Sequence, residues 1–178
     1  GKFVLSEDMI SHHYLGTITS IVLTSDDKYI ISGSDDESLK VFDLTTKQQV
    51  HDFEDAHGGK FVLSEDMISH HYLGKVTWVA VTSDDKYIIS GSHDKSIKIF
   101  DLKTRELVHH FKKAHEGKSV EYEDLISHYY LDMITSGTVT SDNRYIISGA
   151  WDGSLKVFDL NTKQQVHHFE KSHESKNV

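Results

Sequence analysis

No cysteine and no proline occur in this chain. The first absence rules out disulfides and thiolate metal sites and favours an intracellular, cytoplasmic setting. The second leaves the turns to Gly, Asn, Asp and Ser. Long apolar runs are missing too. The best are IVL and WVAV, far short of the roughly 18–20 residues of a membrane helix. No basic region followed by an apolar stretch opens the sequence, so nothing suggests secretion. Positive charge is scarce: 19 Lys and Arg against 28 Asp and Glu give a formal charge of −9. Phosphate binding relies on clustered Lys and Arg, so nucleic acid and anionic membranes are not expected as the main partners. What is present suffices for folding: 37% hydrophobic and 10% aromatic residues over 178 positions, enough for one ordinary domain with a sizeable core.

A shift of 58 residues aligns the chain with itself without a gap, and 40 of 58 positions match between the first two units. GKFVLSEDMISHHYLG (1–16) returns letter for letter at 59–74, and as GKSVEYEDLISHYYLD at 117–132. The units are 1–58 (segments 1–16 and 17–58), 59–116 (segments 59–74 and 75–116) and 117–178 (segments 117–132 and 133–174, tail 175–178). Three copies of one supersecondary unit are therefore expected. In the second part of unit two, VTWVAV, YIIS, SIKIF and ELVHHF are rich in β-branched and aromatic residues, and TSDDK, GSHDK and DLKTR between them are turn sequences. Four strands in about 40 residues make an antiparallel meander. Ile97 and Ile99 share one face and Lys98 takes the other. One such sheet cannot bury both faces alone, so it must stack on its neighbours.

SGSDDESLKVFD (32–43), SGSHDKSIKIFD (90–101) and SGAWDGSLKVFD (148–159) resemble the core of tryptophan–aspartate (WD) repeats. The resemblance covers about 43 residues of each unit and implies an all-β fold of propeller blades, each a four-stranded meander. Phe42, Phe100 and Phe158 stand where the family has its signature tryptophan. Ala56-His57, Ala114-His115 and Ser172-His173 stand for its glycine–histidine element. His57 and Ser90 lie 33 residues apart, against about 18 in an ordinary WD repeat. The surplus is the copied segment, which therefore sits between strand d of one blade and strand a of the next.

His57, Ser90, Asp94 and Phe100 recur as His115, Ser148, Asp152 and Phe158, with Ser32, Asp36 and Phe42 in the first unit. Serine, histidine and aspartate invite a hydrolase reading. The resemblance implies a buried hydrogen-bond network instead, and its repetition favours a staple needed in every blade. Phenylalanine lacks the indole N–H, which removes the last link. No catalytic residue and no cofactor are expected. Fourteen histidines include His12-His13, His70-His71, His109-His110 and His167-His168. Neighbours on a strand point to opposite faces, so these pairs are not expected to chelate one metal. They make the negative charge shrink below about pH 6.5.

LSEDMISHHYLG predicts a short inserted helix: Ser6 caps, Glu7 and Asp8 suit the dipole, Gly16 stops it. Met9, Ile10, His13 and Tyr14 form a stripe that either covers the blade junction or docks a partner. The resemblance implies that d–a and b–c loops share the face usually used for protein partners. Carried over by position, its surface residues are Thr17, Thr19 and Asp35; Lys75, Thr77 and His93; and Met133, Thr135 and Trp151. Trp151 either anchors a partner there or packs under the inserted helix. Propellers close with about four to eight blades, and no strand is shared between the ends to latch a ring. Three blades thus form an incomplete ring, completed by self-association or by other blades. The expected function is a non-enzymatic protein-interaction scaffold. The alternative is a structural subunit whose open edges and inserts make the contacts.

Overall fold

Each TSDDK-like stretch reverses the chain through its own side chains. Thr24 Oγ1 donates to Asp26 Oδ1 at 2.6 Å, and the backbone N–H groups of Lys28 and Tyr29 bond back to Asp26 and Thr24. The same pattern recurs around Thr82 and Thr140. Asp27, Asp85 and Asn143 take positive φ at the tip, a conformation that short polar side chains tolerate. At the other hairpin, Asp43 Oδ1 accepts from Thr45 and Thr46 N–H, and Asp101 and Asp159 repeat this. The aspartate that follows each signature phenylalanine is thus a turn cap, an Asx arrangement that serves in place of proline.

The structure, a computed structural model, describes residues 16–58, 74–115, 132–170 and 172–173. The expected inserted helices lie outside the described residues. Every described element is a strand: β1 (Ile18–Leu23), β2 (Tyr29–Ser34), β3 (Leu39–Asp43), β4 (Gln48–Phe53), β5 (Val76–Val81), β6 (Tyr87–Ser92), β7 (Ile97–Asp101), β8 (Leu107–Phe111), β9 (Ile134–Val139), β10 (Tyr145–Ala150), β11 (Leu155–Asp159) and β12 (Gln164–Phe169). They form three four-stranded sheets, β1-β2-β3-β4, β5-β6-β7-β8 and β9-β10-β11-β12, antiparallel throughout. The register repeats from sheet to sheet, including a bulge in the first strand at Ile18/Ser20 and at Val76/Trp78. These are the three expected meanders.

The sheets stack face to face through their first strands, with β5 between β1 and β9. One apolar core joins Ile31, Leu39, Val41 and Phe53 to Val76, Val79, Ile88 and Phe100. The other joins Ile89, Ile97, Ile99 and Phe111 to Ile134, Ile146 and Phe158. The signature phenylalanines close these cores, Phe100 lying 4.7 Å from Phe53 and Phe158 4.8 Å from Phe111, centroid to centroid. Ile97 and Ile99 face the core together, as their alternation predicts. Lys98 Nζ, on the opposite face, reaches back to the Ala56 carbonyl, and Lys156 Nζ reaches the Ala114 carbonyl at 3.0 Å.

The two junctions fill the same space differently. In the first, Ser20 Oγ accepts from Val79 N–H, and Val76 and Val79 cover Gly33. In the second, Trp78 replaces the serine and Gly137 the valine. A Cβ on Gly137 would sit 2.3 Å from the Trp78 ring, and one on Gly91 2.0 Å from its Nε1. The indole therefore requires both glycines. Gly137→Val should destabilise the fold by ~1–3 kcal/mol through overpacking. Trp78→Ser with Gly137→Val rebuilds the first junction's pairing, so the double variant should be more stable than the sum of the single effects implies. Urea denaturation of the four proteins checks this; simple additivity would refute the coupling.

Candidate functional site

The loop face is assembled by backbone bonds between the start of each first strand and the turn linking the second and third strands. Asp35 N–H donates to Thr17 O at 3.1 Å, His93 N–H to Lys75 O at 3.0 Å, and Trp151 N–H to Met133 O at 3.1 Å. In the first blade Asp35 Oδ1 also accepts from Thr17 N–H at 2.6 Å. The structure therefore brings Thr17 to Asp35, Lys75 to His93 and Met133 to Trp151. One acidic, one imidazole and one indole side chain occupy equivalent places on successive blades.

Their exposure differs. Trp151 is 64% exposed, whereas Asp35 and Met133 are buried; His93 and Lys75 are half-buried and Thr17 is exposed. Thr19, Thr77 and Thr135 turn their hydroxyls onto the carbonyls of Gly33, Gly91 and Gly149, so they brace the bulged strands. Burial first, and then the Lys75 ammonium, hold the His93 imidazole at about 4. It is neutral at pH 7 and able to donate or accept.

Beneath these turns lies the histidine network. His57, on the turn after β4, crosses to the next blade: Nε2 lies 2.7 Å from Ser90 Oγ, and Nδ1 lies 3.1 Å from both Asp94 Oδ2 and Ser96 Oγ. His115 repeats this with Ser148 at 2.7 Å and Ser154 at 3.2 Å. Asp152 caps its turn through Ser154 N–H. Both histidines and both strand serines are completely buried, so neither serine is open to a substrate, and the hydrogen bonds link one blade to the next. Burial holds His57 and His115 below the usual histidine range, His115 at about 4, against the pull of Asp94 and Asp152. Burial disfavours the Asp94 carboxylate, but bonds from His57 and Ser96 outweigh it and keep it ionised. In the first blade Ser32 is buried, Asp36 holds Ser38 at 2.6 Å, and Phe42 is half-buried, without a preceding histidine among the described residues.

Sequence reasoning missed Ser96 and Ser154, and the carbonyl-capping Lys98 and Lys156. The signal was present: Ser38, Ser96 and Ser154 each follow the turn aspartate by two positions, and a lysine follows two further on. Each staple ties down the turn that presents His93 or Trp151, because the same turn supplies Asp94 and Ser96, or Asp152 and Ser154. Among the described residues no three His, Asp or Glu side chains converge to hold a metal, and no helix is long and apolar enough to cross a membrane.

Comparison with known proteins gives the class. The family model "WD domain, G-beta repeat" matches 5–43, 59–101 and 123–159, and the chain belongs to that family of WD-repeat β-propeller proteins. It is similar to the WD repeat domain-containing protein 83 homolog of Dictyostelium discoideum (27% identity, covering 89% of this chain and 39% of the relative). It also resembles the serine-threonine kinase receptor-associated protein of Gallus gallus (22%, covering 92% and 49%). Over 53% of its length it is 31% identical to the small ribosomal subunit protein RACK1z of Oryza sativa subsp. japonica, of which it covers 28%. The crystal structure of RRP9 WD40 repeats superposes with a TM-score of 0.65 at 20% identity, covering 89% of this chain and 40% of that one. The chain thus spans half or less of the length of these relatives.

The folded histidines have a pH signature. An unfolded chain protonates its histidines near pH 6.5, whereas folded His93 and His115 resist until about pH 4. The unfolded state therefore binds more protons between those values, and stability should fall as pH drops from about 6.5 to about 4, with no such contribution above 7. His115→Gln should lose ~1–3 kcal/mol at pH 7.5 through imperfectly paired Ser148 and Ser154, yet lose less on acidification than the parent. Urea midpoints at pH 7.5 and 5.0 test this; parallel losses would refute it.

Proposed function

We propose that the chain is a non-enzymatic scaffold that binds a protein or peptide on the face formed by its b–c turns and the loops entering the first strands. The observation that carries this reading is Trp151: a 64% exposed indole on a turn whose Ser154 is bonded to the buried His115. Rigid, exposed aromatics bind with little ordering cost and dominate interface energetics. His93 and Lys75 on the next blade and Asp35 on the first vary the chemistry at equivalent places, so three nearly identical blades present a non-repeating surface. The acidic balance of −9 favours a partner with basic or apolar character over nucleic acid. Two relatives carry names of association, one with a kinase receptor and one with the small ribosomal subunit, which supports a binding role in general.

A structural-subunit reading draws on a separate observation, the apolar faces at the two ends of the blade stack. The two readings use different surfaces. Trp151→Ala, alone and with His93→Ala, should weaken recovery of specific protein partners by about 30-fold, the effect of losing one interface anchor, with solution mass unchanged. Quantitative proximity labelling of parent and variants checks this. Partner sets that stay the same would overturn the loop-face assignment.

A further inference from the structure

The variable positions of the loop face, Asp35, His93 and Trp151, are not isolated on their blades. Two turn residues, Glu37 and Lys95, reach from one blade to the start of the next. Glu37 O accepts from His57 N–H at 3.2 Å, and its Oε1 accepts from Gly74 N–H at 3.2 Å. Lys95 O accepts from His115 N–H at 3.4 Å, and its Nζ donates to Asp132 Oδ2 at 3.1 Å. Each turn residue thus holds the histidine where the chain leaves a blade and also the residue where it enters the next.

The two contacts solve one problem in two ways. A side chain at Gly74 would collide with the His57 carbonyl and the Glu37 carboxyl group, so Glu37 has room only because residue 74 is glycine. At the second seam residue 132 carries a carboxylate, and the turn residue has the opposite charge. The Lys95 and Asp132 side chains are 26% and 15% exposed, shielded enough to count for more than a surface ion pair. Glu37 and Lys95 take nearly the same left-handed φ, 72° and 69°, so the backbone at residue 95 accepts a glutamate without added strain.

These contacts join the turns in series. Glu37 lies two residues after Asp35 and holds Gly74, and the next residue, Lys75, accepts at its carbonyl from His93 N–H at 3.0 Å. Lys95 lies two residues after His93 and holds Asp132, and the next residue, Met133, accepts from Trp151 N–H at 3.1 Å. We propose that Glu37 and Lys95 are positioning residues that fasten the three turns into one surface. A single extended segment of a partner protein spans the His93 and Trp151 turns, with an apolar side chain on the indole and a hydrogen-bonding group on the imidazole. Fixed spacing between those two rings selects a segment of matching spacing and removes the cost of ordering two turns on binding. This rests on the binding-face reading of Trp151 and gives Glu37 and Lys95 no contact with the partner.

NMR relaxation of the backbone amides in the 178-residue chain reads the positioning without a partner. In the parent, Asp132, Met133 and the turn 151–153 should have order parameters of about 0.85. Lys95→Met, and the milder Asp132→Asn, should move both stretches toward the mobile range below about 0.6, with β10 and β11 unchanged. Lys95→Glu should do the same through repulsion, and Lys95→Glu with Asp132→Lys should restore order by reversing the pair. Unchanged order in the single variants, or a reversed pair no better than Lys95→Glu alone, overturns the proposal. Proximity labelling reads the surface. Lys95→Met should lower recovery of the partners that require Trp151 by about tenfold, within the reach of a residue acting through its neighbours, and the reversed pair should recover them. His93→Ala should reduce the same partners as Trp151→Ala, and two separate partner sets would overturn the single-segment assignment. If Trp151→Ala alters no partner, the binding-face reading fails and the single-segment assignment with it, while the relaxation data decide the positioning separately. If Trp151→Ala alters partners and Lys95→Met does not, only the positioning role fails.

Discussion

Everything in this structure depends on burying the second face of a small sheet. A four-stranded meander of about 40 residues has two apolar sides and no hydrophobic core of its own. Leu39, Val41, Val76 and Ile88 become inaccessible only because one sheet lies on the next. At about 25 cal/mol per Å² of apolar surface, covering such side chains is the main favourable term available to each blade. Stability therefore resides in the junctions, as in other stacked repeats. Phe53 with Phe100, and Phe111 with Phe158, close each junction at its outer side.

Apolar contact alone does not fix how blades are oriented, and the polar groups supply that. A histidine from one blade enters the next and meets two serines, while a lysine from the later blade returns to the alanine carbonyl beside that histidine. The two links run in opposite directions across the same seam. Buried donors and acceptors tolerate little misalignment, so they set register where the isoleucines and valines would permit sliding. The same contacts immobilise the turns that carry His93 and Trp151. Fold and candidate binding surface are consequently one mechanical unit.

Much of this was legible in the residues. The 58-residue period, the four strands per unit, the Asp-capped turns and the pairing of His57 with Ser90 all follow from pattern and family resemblance. Met133 shows where reading by position stops. Its carbonyl accepts from Trp151 N–H, but its side chain is buried where Trp151 is exposed. Thr19, Thr77 and Thr135 were expected to face a partner, but their hydroxyls are occupied by glycine carbonyls. Position along a repeat specifies a neighbourhood, whereas side-chain direction depends on the bulge in the strand.

By itself the sequence determined what each unit is: alternation and turn chemistry are local properties, and threefold repetition makes them unambiguous. Only the tertiary structure decided what each copy does. Phe42, Phe100 and Phe158 occupy the same place in one repeat, but Phe42 is half-buried while the other two are covered. Burial belongs to the neighbour across the junction and not to the residue. Trp78 and Gly137, 59 positions apart in sequence, could be recognised as one packing choice only when the sheets were placed together. The physical reason is the same in both cases: steric fit between blades is set by surfaces that no single repeat contains.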